Sequence, residues 1–454
     1  MREATSRELL KPSMLDTNSV CPYRLADCRT MTLIRTGNMT SLSAGSFYRR
    51  EQHAMNIHQS FDSMLILDFT RCLPGGYATQ VLADLGAEVV KVEGVNSGDP
   101  IRYNHPLNEA GLSYCFSVLG RNKKSVALDL KDDEVADHFL NLVEQVDVIV
   151  ENFRPGVMER LGIDYKSVKA INPSIVYCSI SAYGSQSDDS KQAQDDLNMQ
   201  ARSGYLSLND ANLSPIHLCD LSSAMVACQA ILAALLERSL TGEGAYIDIS
   251  MFDCFMWWNS LIDSRWAFDG KECAKKDLAF PMVNYNTYET KDGEKLAIGM
   301  IEKKFWERFC DLIEYPELKE AHGKRAEESP YAHEIVSKVV ALKTMSEWQE
   351  WLVDKNLCIE AVVDKTTALE RMIREHPETL CWVNFPDAGR ALQTRLPHNI
   401  SSLLSEIDTY TQPVKLGENT SYYLQKAGCS QSDIERLESL GVVALGKAMD
   451  SDPS

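Results

Sequence analysis

The chain has 454 residues, a length that predicts two or three domains. Of these residues 44% are hydrophobic and 24% are charged, which is the composition of a globular protein. Its net charge of −19 argues against nucleic acid as a partner, because proteins that bind nucleic acids carry basic surfaces. Apolar stretches such as residues 224–236 are too short and too mixed to predict a membrane span. Thirteen scattered cysteines without a CxxC pair predict reduced thiols, a cytoplasmic location and no metal site.

The first 60 residues differ in character from the rest of the chain. They lack a sustained apolar period, so we predict a disordered extension over residues 1–60, or a segment upstream of a start at Met55. An Arg-bearing transit peptide is the alternative, but acidic residues such as Glu3 and Glu8 argue against it.

Strands and helices alternate over residues 61–270. Residues 65–69 form an apolar run typical of a buried strand, residues 74–76 break the chain, and residues 77–86 have a helical pattern. Further strands are predicted at residues 88–92, 125–130, 147–151, 175–181 and 245–250, with helices at residues 134–146, 156–161 and 221–240. This alternation predicts an α/β fold, with a Rossmann-like, doubly wound parallel sheet in a large domain over residues 61–270.

The pattern changes after residue 270. Asp292 and Gly293 are typical of a hairpin turn, and helical patterns follow at residues 303–313, 330–341 and 346–355. We therefore predict a small α+β domain with its linkers over residues 271–390. Residues 391–445 are predicted to return to the large domain, and residues 446–454 to form a tail.

Three segments are candidates for binding an anion. Residues 74–76 suit a phosphate-binding turn, but a tight strand–helix turn explains them equally well. Residues 121–124 precede a strand, and their charges are equally typical of a solvated surface. Residues 152–156, with Arg160, follow the carboxyl end of a strand, where open α/β sheets bind ligands, and are therefore the better candidate.

Asp220 lies directly before a long apolar helix. Aspartate is a common helix N-cap, and the spacing alone favours that interpretation. A carboxylate can also act as a covalent nucleophile toward a thioester, or as a general base. The residues around Asp220 leave these alternatives open.

Ordered runs along the chain resemble the class III CoA-transferase family, which includes formyl-CoA transferase, carnitine CoA-transferase and, in a sister branch, alpha-methylacyl-CoA racemase. The resemblance covers residues 64–445. No single run is decisive, but the ordered set is highly specific: ILDFTRCLPGGYATQVLADLGAEVVKVE (66–93), RNKKSVALDLK (121–131), VDVIVENFRPGVMERLGIDY (146–165), INPSIVYCSISAYG (171–184), DLNMQARSGYLSL (196–208), LTGEGAYIDISMFD (240–253) and LGENTSYYLQKAGCSQSDIERLESLGVV (416–443).

The resemblance implies an interlocked homodimer that acts on an acyl-CoA and a carboxylic acid acceptor. Coenzyme A would be a thioester substrate and not a permanently bound cofactor. By position, the residues expected at the CoA site are Leu128, Asn152, Phe153 and Arg160. A basic residue that is common after the KVE run of the family is absent here, where Gly94 and Val95 stand.

The resemblance also assigns the central catalytic role to Asp220. In the transferases this aspartate attacks the thioester, whereas in the racemase branch it is one of two acid/base groups and the other is a histidine. The racemase histidine aligns with Asp195. The chain nevertheless has its closest overall pattern to the racemase branch, as residues 73–75 and Glu302 indicate. Glu302 would help to organise the active site.

Because a carboxylate does not usually titrate near neutrality, we expect a CoA-transferase. The alternative is an alpha-methylacyl-CoA racemase with Asp195 in place of the histidine. A CoA-binding protein without catalysis is a third possibility, and the presence of Asp220 argues against it.

Overall fold

The computed structural model describes residue 61 and residues 63–270, 281–397 and 410–446. The predicted extension at residues 1–60 and residues 447–454 of the predicted tail lie outside the described residues.

A seven-stranded sheet forms the centre of the large domain, in the order β12-β3-β2-β1-β4-β5-β6. Neighbouring strands are parallel except at one edge, where β12 is antiparallel to β3. Apart from β12, this is the strand order of a Rossmann fold, so the predicted fold class is confirmed. The strands are β1 (Leu65–Asp68), β2 (Glu88–Glu93), β3 (Lys123–Leu128), β4 (Val148–Glu151), β5 (Val176–Ser181), β6 (Ala245–Ser250) and β12 (Val443–Ala444).

Helices cover both faces of this sheet, as an apolar parallel sheet requires. One hydrophobic core lies beneath the helices at Asp133–Val143 and Tyr165–Ile171. A second lies beneath the helices at Leu73–Asp84, Asp196–Arg202, Leu218–Thr241 and Met251–Trp258. A 3-10 helix, Pro100–Tyr103, follows β2. The α-helices up to residue 270 are α1 (Leu73–Asp84), α2 (Tyr114–Leu119), α3 (Asp133–Val143), α4 (Val157–Arg160), α5 (Tyr165–Ile171), α6 (Asp196–Arg202), α7 (Tyr205–Leu208), α8 (Leu218–Thr241), α9 (Met251–Trp258) and α10 (Ser260–Asp269).

The prediction that residues 74–76 break the chain before the first helix is wrong, because α1 begins at Leu73. Pro74 lies in the first turn, where a missing N–H costs nothing. Gly75 is required by close packing, since a Cβ there would lie 2.2 Å from the Thr70 side chain. The reversal of the chain occurs instead at Cys72, which has a φ of 59°.

A buried ionic network contacts the backbone on both sides of this reversal. The Nζ of Lys123 lies 2.9 Å from Oδ2 of Asp68, and it donates to the carbonyl of Gly76 and to the hydroxyl of Thr79. The Nζ of Lys91 lies 2.8 Å from Oδ2 of Asp99 and donates to the carbonyl of Thr70. Both lysines are therefore structural groups with hydrogen-bonded partners.

A separate hydrophobic core lies after residue 281, where the chain begins with the predicted hairpin. Strands β7, β8 and β9 form an antiparallel sheet, and Trp306 and Trp348 are fully buried in its core. A 3-10 helix spans Pro316–Ala321. The other elements of this part are β7 (Tyr285–Glu289), β8 (Lys295–Gly299), α11 (Lys303–Leu312), α12 (Pro330–Val340), α13 (Met345–Leu352), β9 (Ile359–Ala361), α14 (Lys365–Glu375), β10 (Leu380–Phe385) and β11 (Gly389–Thr394).

The C-terminal segment packs on the large sheet. Helices α15 (Thr420–Lys426) and α16 (Gln431–Ser439) cover the same face as α3, and β12 pairs with β3. The return of residues 391–445 to the large domain stays a prediction, and residues 398–409 lie outside the described part.

The most apolar 18-residue window of α8 has a mean hydropathy of 1.7, and the helix is long enough to cross a membrane, although the apolar stretch at residues 224–236 does not predict a membrane span. Half of its most apolar window is buried in the protein, where it packs against α1, β5 and β6. These contacts are those of a core helix.

Candidate active site

A cleft of about 600 Å³ lies at the carboxyl ends of the strands β1 to β4. Phe69 and Arg71 line it after β1, residues 94–98 after β2, residues 128–131 at the end of β3, and Phe153 after β4. Parallel sheets bind ligands at this edge, and the size suits a nucleotide-like molecule.

Three of the four predicted CoA residues line this cleft, namely Leu128, Phe153 and Arg160. The fourth, Asn152, acts on the backbone of Arg71: its Oδ1 accepts the N–H of Arg71 and its Nδ2 donates to the carbonyl of Arg71. Asn152 therefore fixes the segment that follows β1.

Two further cations of the cleft, Arg71 and Lys131, were not predicted from the sequence. The Arg71 guanidinium lies 5.3 Å from the centre of the Phe153 ring, within the range of a cation–π contact. Together with Arg160 these side chains can bind phosphate groups. The rule that ligands bind after the carboxyl ends of strands would have found Arg71, because it follows β1.

The other two segments considered for anion binding lie away from this cleft. Residues 74–76 are buried in the first turn of α1. The guanidinium of Arg121 is buried against the carboxylate of Asp84, and Lys123 belongs to the network around Asp68. Of residues 121–124, Lys124 is exposed and the other three bond to neighbouring parts of the chain.

Asp220 lies in the first turn of α8, three positions after its N-cap. The N-cap is His217, so the interpretation favoured by the spacing alone is wrong. The N-terminus of α8 is instead capped from α6: Oδ1 of Asp196 accepts the N–H of Cys219 at 2.6 Å and that of Asp220 at 3.1 Å. Asp196 thereby holds the backbone that carries the Asp220 carboxylate.

Burial and a like charge shift the ionisation of Asp220. Withdrawal from water, followed by repulsion from Asp196 and Asp195, raises the pKa of Asp220 to about 7, and His217 opposes the shift. At neutral pH, Asp220 therefore exchanges between a neutral acid and a reactive carboxylate, as nucleophilic or acid/base chemistry requires.

Cys72 lies between the cleft and Asp220 in the chain's electrostatics. Arg71 lines the cleft, while burial, then Asp99, and also Asp220 raise the pKa of the neighbouring Cys72 thiol. The Cys72 thiol is therefore near enough to Asp220 for their charges to interact.

The two other residues predicted for catalysis take different positions. Asp195 is the exposed N-cap of α6, and its N–H donates to Oδ1 of Asn198. Glu302 is exposed at the N-terminus of α11 and forms an ion pair with Lys304 at 2.5 Å. Within the described part of the chain, no hydrogen bond or ion pair joins either residue to Asp220.

The Asp196 carboxylate is already engaged on both oxygens. In addition to the two backbone N–H groups at Oδ1, the amide nitrogen of Gln200 donates to Oδ2. Asp196 is therefore held by hydrogen bonds within the protein and supports the backbone of Asp220.

Comparisons with known proteins agree with this geometry. A model of CoA-transferase family III matches residues 61–420. A succinyl-CoA:mesaconate CoA-transferase of Haloarcula hispanica is 34% identical over 273 residues, which are 57% of this chain and 68% of that protein. The human alpha-methylacyl-CoA racemase is 27% identical over 394 residues, 84% of this chain and 97% of that protein. The crystal structure of Rv3272 from M. tuberculosis superposes with a TM-score of 0.67 at 26% identity, over 80% of this chain and 98% of that one.

Proposed function

This chain belongs to CoA-transferase family III, and from this premise we propose that it moves coenzyme A between two carboxylic acids, with Asp220 as the nucleophile. One observation carries the proposal: the half-buried Asp220 carboxylate, whose pKa burial and Asp196 raise to about 7, acts on the Cys72 thiol, and the neighbouring Arg71 lines a cleft of nucleotide size. The proposal assigns Arg71, Lys131 and Arg160 to the phosphates of CoA, and Leu128 and Phe153 to its apolar parts.

In the proposed reaction the ionised Asp220 attacks the carbonyl carbon of the acyl-CoA. The thioester bond breaks, CoA leaves as the thiolate, and an aspartyl–acyl anhydride forms. The thiolate then attacks the aspartyl carbonyl, which releases the first carboxylic acid and leaves an aspartyl-CoA thioester. The acceptor carboxylate attacks the carbonyl of that thioester, the C–S bond breaks, CoA leaves again as the thiolate, and a second anhydride forms. The thiolate then attacks the acceptor's carbonyl in this anhydride, which gives the new acyl-CoA and releases the Asp220 carboxylate.

Trapping of the covalent enzyme tests this mechanism. The protein is incubated with succinyl-CoA, the donor named in the Haloarcula relative, and then treated with hydroxylamine or borohydride. Peptide mass spectrometry should find the modification on Asp220 and only in the presence of the acyl-CoA. Asp137→Asn, at an exposed position of α3, is the matched control and should give the same adduct.

An isomerase is the alternative outcome of the same experiment. It would exchange the α-proton of a 2-methylacyl-CoA for deuterium without any acceptor acid, and would leave no adduct on Asp220. The capping position of Asp195 favours the transferase, because an isomerase needs a second acid/base group facing the α-carbon. Full CoA transfer by Asp220→Ala would disprove the nucleophilic role.

We further propose that the protein acts as an interlocked homodimer. Large apolar side chains on α8 to α10 are exposed in the described chain, Phe268 by 92%, and such surfaces are typical of protein interfaces. In this proposal Glu302 completes the Asp220 site of the partner. Sedimentation equilibrium should give twice the chain mass.

A cytoplasmic location is also proposed. Buried cysteines such as Cys178, Cys219 and Cys228 are reduced thiols, as a reducing compartment would keep them. Fractionation of cells that express the tagged protein tests the location.

A further inference from the structure

An imidazole lies beside Asp220 that the proposed reaction does not use. Nδ1 of His217 lies 3.9 Å from Oδ2 of Asp196. A ring nitrogen of His217 and one carboxylate oxygen each of Asp196 and Asp220 all lie within 4.8 Å of one another. The His217 side chain is 63% exposed, so it exchanges protons with solvent, whereas Asp196 beneath it is buried.

We propose that His217 is a positioning residue that sets the ionisation of Asp220: its protonated ring keeps the Asp220 carboxylate charged, and therefore nucleophilic, in mildly acidic solution. The inference rests on the proposed function, because it concerns the charge state that CoA transfer requires.

The groups facing Asp220 come from three parts of the chain. Helix α6 contributes the negative charges of Asp195 and Asp196, and the segment before α1 contributes the thiol of Cys72. Helix α8 contributes the Cys219 thiol, whose pKa is raised by burial and then by Asp196 and Asp220. His217 is the cation that acts on Asp220, against burial and two like charges.

The short distance between the ring and the Asp220 carboxylate makes this arrangement effective. A positive charge within 4.8 Å of a carboxylate oxygen favours the ionised form of that carboxylate. Imidazoles as a class carry such a charge in mildly acidic solution, where protons also begin to neutralise Asp220.

Two substitutions at His217 separate charge from shape. His217→Gln removes the charge, and His217→Lys keeps a positive charge at all relevant pH values. We expect the acid limb of kcat/KM for succinyl-CoA to move to higher pH by roughly half to one unit in the Gln variant. Activity then falls about three- to tenfold at pH 6 and hardly changes at pH 8. The Lys variant should keep its acid limb at or below that of the native protein.

A readout without turnover keeps this inference separate from the proposed function. The pH dependence of Asp220 labelling by a water-soluble carbodiimide, which reacts with the protonated carboxyl group, is followed by peptide mass spectrometry. It should move in the same direction as the acid limb, even if no acceptor acid supports transfer. His376→Gln, an exposed histidine next to Glu378, is the control and should leave both profiles unchanged.

Two results would overturn the inference. One is an unchanged acid limb and labelling profile in a folded His217→Gln variant. The other is a loss of activity in His217→Gln that is equal at every pH and that His217→Lys does not restore. Such a loss would indicate a purely structural role at the N-terminus of α8.

Discussion

Asp68 and Asp220 are two carboxylates that folding withdraws from water, and their pKa values shift in opposite directions. Burial disfavours the charge of Asp68, but Lys123 and then Lys91, with the hydroxyls of Thr70 and Thr79, lower its pKa well below the usual range. Burial also disfavours the charge of Asp220, and there the nearest carboxylate adds repulsion, so that its pKa rises to about 7.

The opposite pKa shifts of Asp68 and Asp220 come from the neighbouring charges and not from the depth of burial. Around Asp68 the two buried lysines are paired with carboxylates and donate to backbone carbonyls, which fixes the backbone ahead of α1. Around Asp220 the negative charge is only partly compensated. Asp196 holds the backbone and repels the side chain, and the His217 ring is exposed to solvent. An incompletely compensated carboxylate costs stability and gains reactivity.

The largest effect is expected from Asp220→Asn. CoA transfer should fall by about 10³-fold or more, since no nucleophile remains, while thermal unfolding shows an intact fold. Unchanged transfer, measured by chromatography of the acyl-CoA products, would contradict the assignment of the nucleophile.

The same variant should change how stability depends on pH. The folded pKa of about 7 lies above the unfolded value near 4, so the folded protein binds more protons between them and loses stability as pH rises through that window. Asp220→Asn should weaken this slope in urea unfolding and be more stable than the native protein at pH 8. Part of the slope remains, because burial also raises the pKa of Glu151 to about 7.

At the Asp68 site, Lys123→Met should lower the free energy of unfolding. It removes a partner from buried Asp68, and loss of about 3–5 kcal/mol in the free energy of unfolding is expected. Lys124→Met changes the exposed neighbour on β3 and should stay within about 0.5 kcal/mol. Equal values for the two variants in urea unfolding would show that the Asp68 network contributes no stability.

The two sites also differ in how far the sequence predicts them. The strands could be predicted because their apolar runs are continuous, whereas the first helix was placed too late because a Pro-Gly-Gly run is typical of a break. Asp220 was found through the family resemblance, since its spacing favoured a cap. His217 carries no local signal. Asp196 aligns with the aspartate of the racemase His-Asp pair, but its contact with the N-terminus of α8 could not be predicted, because only the fold brings α6 beneath that helix.

A smaller effect, on pH dependence, is expected from Asp196→Asn. The amide keeps an oxygen that can accept the N–H groups of Cys219 and Asp220, and it removes the charge that repels Asp220. The acid limb of kcat/KM should therefore move to lower pH, by roughly one unit. A limb that moves to higher pH would show that Asp196 supports the charged form of Asp220.

The smallest effect concerns the cleft. Arg71 is exposed, so its attraction to a CoA phosphate is screened by water, and Arg71→Gln should raise the KM for succinyl-CoA by roughly fivefold with little change in kcat. The difference from the native protein should shrink as salt is added, because salt screens exposed charges. Arg308→Gln, on the exposed face of α11, is the matched control and should leave KM unchanged. A fall in kcat at constant KM would instead place Arg71 in the chemistry at Asp220, to which Cys72 connects it.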